Sequence, residues 1–328
     1  MSLGGVEVAG RRVLVTGAAG LVGANLVAAL RAGGARVRAT VHRKPLTAAE
    51  GIEVVSCDLL DPAAARAVVD GCEWVFHCAA LGGAAATFQQ AGGLEYLANF
   101  DMDRAVLAAC TAAGAAKLVW LGSTTAYPPC MDRPVTEEDL LTGEPFEKYY
   151  GVGWCKRFTE VLFRLHARSG RGGPSIAVLR PTAVYGPHDD FEPASSHVIP
   201  ALIRRVVARE QPLEVWGTGE ERRDFIYVDD VVRAMLLAAG RVVGLETFNL
   251  GAGRTCTIRE LVETLVRIDG FGEPDLRFRA DRPTTIPSRS VSVERAAGGL
   301  GWVPGVSLEE GLARTVAWYR SREAGLHS

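Results

Sequence analysis

The sequence predicts an α/β protein, a doubly wound parallel sheet carrying a smaller α/β lobe. Three observations point to it. An apolar strand, Val13-Leu14-Val15-Thr16, runs straight into Gly17-Ala18-Ala19-Gly20-Leu21-Val22-Gly23 and then into a helical stretch from Ala24 to Leu30. Glycines in such a loop let the backbone turn tightly and approach a pyrophosphate, which the free N–H groups of the helix start then hold. The apolar segments that follow are continuous rather than alternating, the pattern of parallel strands covered on both faces. The length, 328 residues, exceeds one minimal domain. Together these predict a Rossmann-type domain with a substrate lobe.

Taken in order, the first strand is followed by strands over 37–41, 53–56, 74–77, 118–121 and 176–179. Helices near 24–32, 62–70, 94–113 and 148–169 lie between them. After Arg180-Pro181 the pattern loosens, and Pro and Gly become frequent. Short strands over 213–216, 225–228 and 248–250 mix there with helices near 195–209, 229–239, 257–268 and 307–321. The expected division is a dinucleotide-binding domain over 1–180 with about 225–250, and a substrate lobe over 181–224 and 251–328.

Composition narrows the class. Hydrophobic content of 48% is ample for a sizeable core, and a net charge of −2 gives no reason to expect nucleic acid or an anionic membrane as a partner. No apolar run approaches the ~18 residues needed to span a bilayer, and no secretory pattern opens the chain. Seven cysteines, without CxxC or Cys/His metal spacing, read as reduced thiols of a cytoplasmic protein with no metal site. At the end of the second strand stands Thr40-Val41-His42-Arg43-Lys44, where a reader of a ribose 2′-OH would be acidic. The basic His42 and Arg43 suit a 2′-phosphate, so NADP is expected over NAD.

The GxxGxxG spacing of the first loop resembles the extended short-chain dehydrogenase/reductase family. That resemblance implies cofactor contacts from Gly17, Ala19, Gly20, Leu21, Val22 and Gly23. It implies further contacts from Asp58 and Leu59, from Cys78-Ala79-Ala80 after the fourth strand, and from Pro181 and Val184. Several segments narrow it to the GDP-L-fucose synthase branch: Gly122-Ser123-Thr124-Thr125-Ala126-Tyr127-Pro128, the run from Arg180 to Phe191, and Ser196-His197-Val198-Ile199-Pro200-Ala201-Leu202-Ile203-Arg204-Arg205. Trp216-Gly217-Thr218-Gly219, Arg223-Asp224-Phe225 and Val228-Asp229-Asp230 continue the likeness.

Family members use a Tyr-x-x-x-Lys pair whose residues share a helix face. The lysine contacts the nicotinamide ribose and lowers the pKa of a phenol that exchanges a proton with the substrate. Lys156 matches that lysine, but the position four before it is Val152. Tyr150 lies six residues before Lys156 and Tyr149 seven, and on a regular helix neither ring is expected on the lysine's face; a local bulge would be needed to bring Tyr150 inward. The branch's epimerisation cysteine is replaced by Thr125, while its histidine is retained as His197 and its serine as Ser123. The implied active groups are therefore Ser123, Lys156, His197, Tyr150 and Thr125. Thr124, Arg205, Trp216, Arg223 and Arg289 are the implied contacts to a nucleotide-diphosphate sugar, and Thr284-Thr285 replaces an Asp-Gly pair of the substrate loop.

The expectation is an NAD(P)-dependent sugar-nucleotide epimerase or reductase with Val152 in place of the usual tyrosine. Two alternatives stand beside it: a dehydratase or lyase using transient oxidation by the cofactor, and a catalytically silent binder of cofactor and nucleotide sugar. The resemblance also implies a homodimer through the helices near 94–113 and 148–169, where Leu97, Phe100, Phe158 and Leu162 fall at helical spacing.

Overall fold

The computed structural model describes residues 2–3, 5–46, 50–82, 94–130, 132–282 and 286–326. Seven parallel strands form one sheet: β1 (Arg12–Thr16), β2 (Arg36–Val41), β3 (Glu53–Ser56), β4 (Trp74–His77), β5 (Lys117–Leu121), β6 (Ser175–Pro181) and β7 (Leu245–Leu250). Their spatial order is β7-β6-β5-β4-β1-β2-β3. Chain direction across the sheet reverses at β1, so a crevice opens beyond the carboxyl ends of β1 and β4, the usual ligand position in open α/β sheets.

Both faces of the sheet are covered, which is why its strands are apolar throughout. Val13 and Val15 of β1 point into one core with α1 (Leu21–Ala32), while Leu14 points into the other with α2 (Pro62–Val69) and α3 (Leu97–Ala113). Phe163 of α4 (Tyr150–Arg168) joins this second core. Asp61 accepts from the Ala63 N–H, and Pro62 at the first helical position starts α2 cleanly.

Beyond β6 the chain builds smaller pieces. Helices α5 (Val198–Val207) and α6 (Val228–Arg241) precede β7, and α7 (Ile258–Asp269), α8 (Glu294–Leu300) and α9 (Leu308–Leu326) follow it. Helix α6 packs on the same sheet face as α1, and α7 starts at a Thr257/Glu260 capping box. Three small sheets accompany them. Residues 213–216 pair with 276–279, residues 183–185 pair with 225–227, and residues 222–223 lie between 256–257 and 288–289.

The long elements fall within a few residues of expectation. Strands 183–185, 222–223, 256–257, 276–279 and 288–289, helix α8, and a hairpin of Ser2–Leu3 with Val6–Glu7 were not anticipated. Segments of two to four residues are too short to show a period. The Thr284-Thr285 pair lies outside the described residues.

Candidate active site

The glycine loop leaves no room for side chains. Gly17 has φ +64°, and a Cβ there would stand 2.7 Å from the Ala79 backbone. At Gly23 a Cβ would stand 2.2 Å from the Gly17 carbonyl oxygen. Helix α1 begins at Gly20 with no side-chain cap and no acidic residue in its first turn, so its N–H groups and dipole favour an anion. This is a cradle suited to a dinucleotide pyrophosphate. Around it, Ala19 and Leu21 are half-buried, Val22 is buried, and Cys78 and Ala79 border Gly17 from the end of β4 with Ala80 exposed. Pro181 ends β6, and Val184 is half-buried beside Ile226. His42, Arg43 and Lys44 are exposed at the end of β2. Asp58 is exposed and accepts from the Leu60 N–H, while Leu59 is buried.

Lys156, on α4, is buried to 7% exposure. Its Nζ donates to the Leu121 carbonyl at 3.2 Å and sits 4.5 Å from the centre of the Trp120 ring. Burial pushes its pKa below the usual lysine value, opposed by the negative Asp103 and Glu160. The Trp120 Nε1–H donates to Asp103 at 2.8 Å, and the Thr159 hydroxyl donates to the same carboxylate at 2.6 Å. His77 Nε2 lies 3.0 Å from Asp103, close but not aligned as a hydrogen bond. Its Nδ1 is 2.6 Å from Thr16 Oγ1, which accepts the Ala79 N–H. The Thr16 hydroxyl and His77 Nδ1 thus share one hydrogen bond, and Nε2 faces Asp103. Burial pushes the Asp103 pKa up, but His77 and Lys156 outweigh it and hold the carboxyl below its ordinary value.

Ser123 caps a short turn over Thr124–Ala126. Its Oγ accepts from the Thr125 N–H at 3.1 Å and from the Thr125 hydroxyl at 2.9 Å. The Ser123 proton is therefore free to be given to a substrate oxygen. Thr124 is buried. Arg157 clamps this loop to α4, donating to the Ala126 and Gly143 carbonyls, both at 2.7 Å. Gly153 lets the two approach, since a Cβ there would lie 2.9 Å from the Thr125 carbonyl.

The expectation for Tyr150 needs correction. Tyr150 is 50% exposed, with its ring edge-on to Trp154 at 6.3 Å, so it belongs to the outer face of α4 and not beside Lys156. Tyr149 is half-buried against the cluster of Tyr96, Val152 and Cys155. It precedes the first residue of α4, at φ −111° and ψ 10°, so the helix period does not extend to it. Of the implied substrate contacts, Arg223 and Arg289 fall together.

Those two arginines are register partners on the three-stranded sheet. Arg289 is 6% exposed, with Nη1 lacking a hydrogen-bond partner and Nη2 3.5 Å from the Tyr127 carbonyl. Burial pushes the pKa of both guanidinium groups down. Arg289 thus reaches the Tyr127 carbonyl at the far end of the serine loop, while Lys156 reaches the Leu121 carbonyl just before it. The other substrate candidates fall elsewhere. Arg205 donates to the Glu214 carbonyl at 2.6 Å, and Trp216, 48% exposed, ends the strand that Glu214 lies on. His197 precedes α5 with Nδ1 3.9 Å from Asp189, whose charge raises its pKa. Asp190 beside it feels Lys44 from the end of β2, and Asn25 of α1 donates to the Pro187 carbonyl at 2.9 Å. That loop therefore leans on the cofactor side.

Asp103 escaped sequence reasoning. The available signal was an acid on the buried stripe of α3, in line with Asn99, Val106 and Cys110. Among the described residues no His, Cys, Asp and Glu cluster could hold a metal ion. Two surface clefts of 590 and 320 Å³ lie over the second lobe, and neither is lined by Lys156 or Ser123.

The NAD dependent epimerase/dehydratase family matches residues 13–251. The chain is 31% identical over 322 residues to a GDP-L-fucose synthase of Sinorhizobium fredii (strain NBRC 101917 / NGR234), covering 96% of this chain and 97% of that one. It is 30% identical over 326 residues to a dTDP-4-dehydro-6-deoxy-D-allose reductase of Streptomyces bikiniensis, covering 95% and 97%. Among solved structures, MoeE5 in complex with UDP-glucose and NAD superposes with a TM-score of 0.83 at 32% identity, covering 95% of this chain and 99% of that one.

Proposed function

Because the chain belongs to the NAD dependent epimerase/dehydratase family, we propose that it is an NAD(P)-dependent enzyme acting on a nucleotide-diphosphate sugar by hydride chemistry at a keto or hydroxyl carbon, as an epimerase or reductase. One observation carries this reading. Lys156 and Arg289 reach the backbone at the two ends of the Ser123 loop, Arg289 is buried with Arg223 as its register partner, and the glycine cradle opens at the neighbouring strand ends. Bound in that cradle, the nicotinamide supplies or takes the hydride. Ser123 orients the sugar oxygen, and the two arginines hold the diphosphate with charge-assisted hydrogen bonds.

The exposed basic run His42-Arg43-Lys44 supports NADP as the preferred cofactor. All seven cysteines are free, which supports a reducing, cytoplasmic setting. No helix among the described residues is long and apolar enough to cross a membrane. A second copy of the chain is proposed to cover the outer face of α3 and α4. Tyr150, Trp154, Phe158 and Phe100 form a run of ring contacts there, and Leu97 and Leu165 are exposed. Leu162, by contrast, packs against the inner core.

The catalytically silent alternative draws its support from Val152. The deciding experiment is titration with NADPH and NADH against a panel of GDP-, UDP-, CDP- and dTDP-linked keto-sugars, following cofactor absorbance. Oxidation with one keto-sugar supports the enzyme. Tight binding without turnover supports the silent reading, and failure to bind any nucleotide sugar removes the substrate class.

A further inference from the structure

The region around Lys156 poses a chemical question that the glycine cradle and the arginines leave open: which group carries the proton? Reduction of a sugar ketone delivers a hydride to carbon while the carbonyl π pair moves onto oxygen, which must take a proton from the protein. Val152 has none to give. Tyr150 faces outward. Tyr149 precedes α4 and packs against Tyr96, Val152 and Cys155. Ser123 accepts two hydrogen bonds at Oγ and orients rather than ionises, its hydroxyl being too weak an acid. Burial pushes the nearby Cys78 thiol up to about 12 and raises Cys155.

We propose that Lys156, with its ammonium seated on the face of Trp120 and balanced by the Asp103 carboxylate behind that ring, is the group that hands the proton to the substrate oxygen. Trp120 joins the two charges. Its face carries the cation at 4.5 Å while its Nε1–H donates to Asp103 at 2.8 Å. A carboxylate drawing on the indole proton leaves more electron density on the ring face, which strengthens its hold on the ammonium. Asp103 is itself fixed by Thr159, with His77 and Thr16 behind it, so the counter-charge is rigid.

Among the described residues, the titratable groups acting most on Lys156 are Asp103 from α3, Glu160 and Cys155 from α4, and Cys78 from the end of β4. Burial disfavours the ammonium and Asp103 favours it, so the first loosens the proton that the second retains. In the reduction the Nζ–H bond breaks, the sugar oxygen gains that proton, and the neutral amine is reprotonated by water. Oxidation runs the same step backwards. Asp103 does not touch the substrate; it is a positioning residue acting through Lys156.

This inference rests on the proposed sugar-nucleotide reading, and its test separates the two. The chain has four lysines, Lys44, Lys117, Lys148 and Lys156, so lysine labelled at Cε gives four NMR signals assignable by Lys→Arg variants. In the cofactor-free protein Lys156 is expected to titrate below the ordinary lysine value, and Asp103→Asn to move its midpoint down by about one to three units. If Asp103→Asn does not fold, Lys156→Met is the reciprocal variant and should raise the midpoint of the Asp103 carboxyl. In turnover, the reductive rate should fall as pH rises through the Lys156 midpoint, and Asp103→Asn should carry that limb downward by the same interval. Lys156→Arg, which keeps the charge but gives up no proton, should bind cofactor and lose about 100-fold or more in rate.

A Lys156 midpoint at the ordinary value, one indifferent to Asp103→Asn, or a larger rate loss in Tyr149→Phe than in Lys156→Arg would each overturn the proposal. Absence of turnover with every sugar would overturn the donor role together with the proposed function, while the titration would still report the Lys156–Asp103 coupling.

Discussion

The two sides of the crevice are built to different standards. On the cofactor side, fit is enforced by backbone: Gly17 against Ala79, and Gly23 against Gly17, with no space for a methyl group. The polar groups behind this loop are engaged with one another from Thr16 through His77 and Asp103 to Thr159 and Trp120. Across the crevice, Asp224 Oδ2 and Arg289 Nη1 are buried without hydrogen-bond partners, as His77 Nε2 is on the cofactor side. A buried polar group left in that state costs about 1–3 kcal/mol. The first side is held by close backbone fit; the second carries a guanidinium and a carboxylate whose polar capacity folding alone does not use. The difference separates a site defined by shape from one defined by charge.

Gly23→Ala should break the comparison most severely. A methyl group 2.2 Å from a carbonyl oxygen must displace the loop or the helix, so dinucleotide binding by calorimetry should be lost, with about 3 kcal/mol of stability. Retained binding would show that the cradle yields and that shape does not define it.

Asp224 tests the other side. Burial raises its pKa from 3.8 to about 6, against the N–H of Ala252 and the Thr182 hydroxyl that stabilise its charge. The folded chain therefore holds a proton that the unfolded chain has released, and stability falls as pH rises between those values. Asp224→Asn lacks this loss. Its melting temperature relative to the natural chain should climb from pH ~4 to pH ~6, by the equivalent of about 3 kcal/mol at most. A gap independent of pH would show the carboxyl to be ionised throughout.

Arg289→Met sharpens the contrast further. Removing an orphaned buried donor should leave thermal stability equal or slightly higher, while nucleotide-diphosphate binding weakens roughly 10- to 100-fold, the value of a charged hydrogen bond. Loss of stability with intact binding would make Arg289 a packing residue. The smallest effect is expected at Tyr150→Phe, within about 0.5 kcal/mol in stability and without change in turnover. A marked fall in rate would return Tyr150 to the site.

The same contrast explains what could be read from the sequence. Strand, glycine loop and helix from Val13 to Leu30 are contiguous, so the cradle was legible residue by residue, and the sheet strands were legible from continuous apolar runs. The second lobe was not, because strands such as 222–223 and 288–289 are held by partners far away in the chain. Lys156 was found, but its surroundings were not. Residues 16, 77, 103, 120 and 159 meet only in the folded chain.

The small sheet that carries Arg223 has one more consequence, for the order in which a growing chain can assemble. Every strand of the large sheet has been synthesised once Leu250 leaves the ribosome, and the glycine loop far earlier. The partners of Arg222–Arg223 come at Cys256–Thr257 and Ser288–Arg289, and Val135 meets Val291 later still. A nascent chain therefore holds all the residues of its dinucleotide cradle well before its two arginines can stand side by side. Truncations between residues 250 and 289 would sever those two capacities along the direction of synthesis.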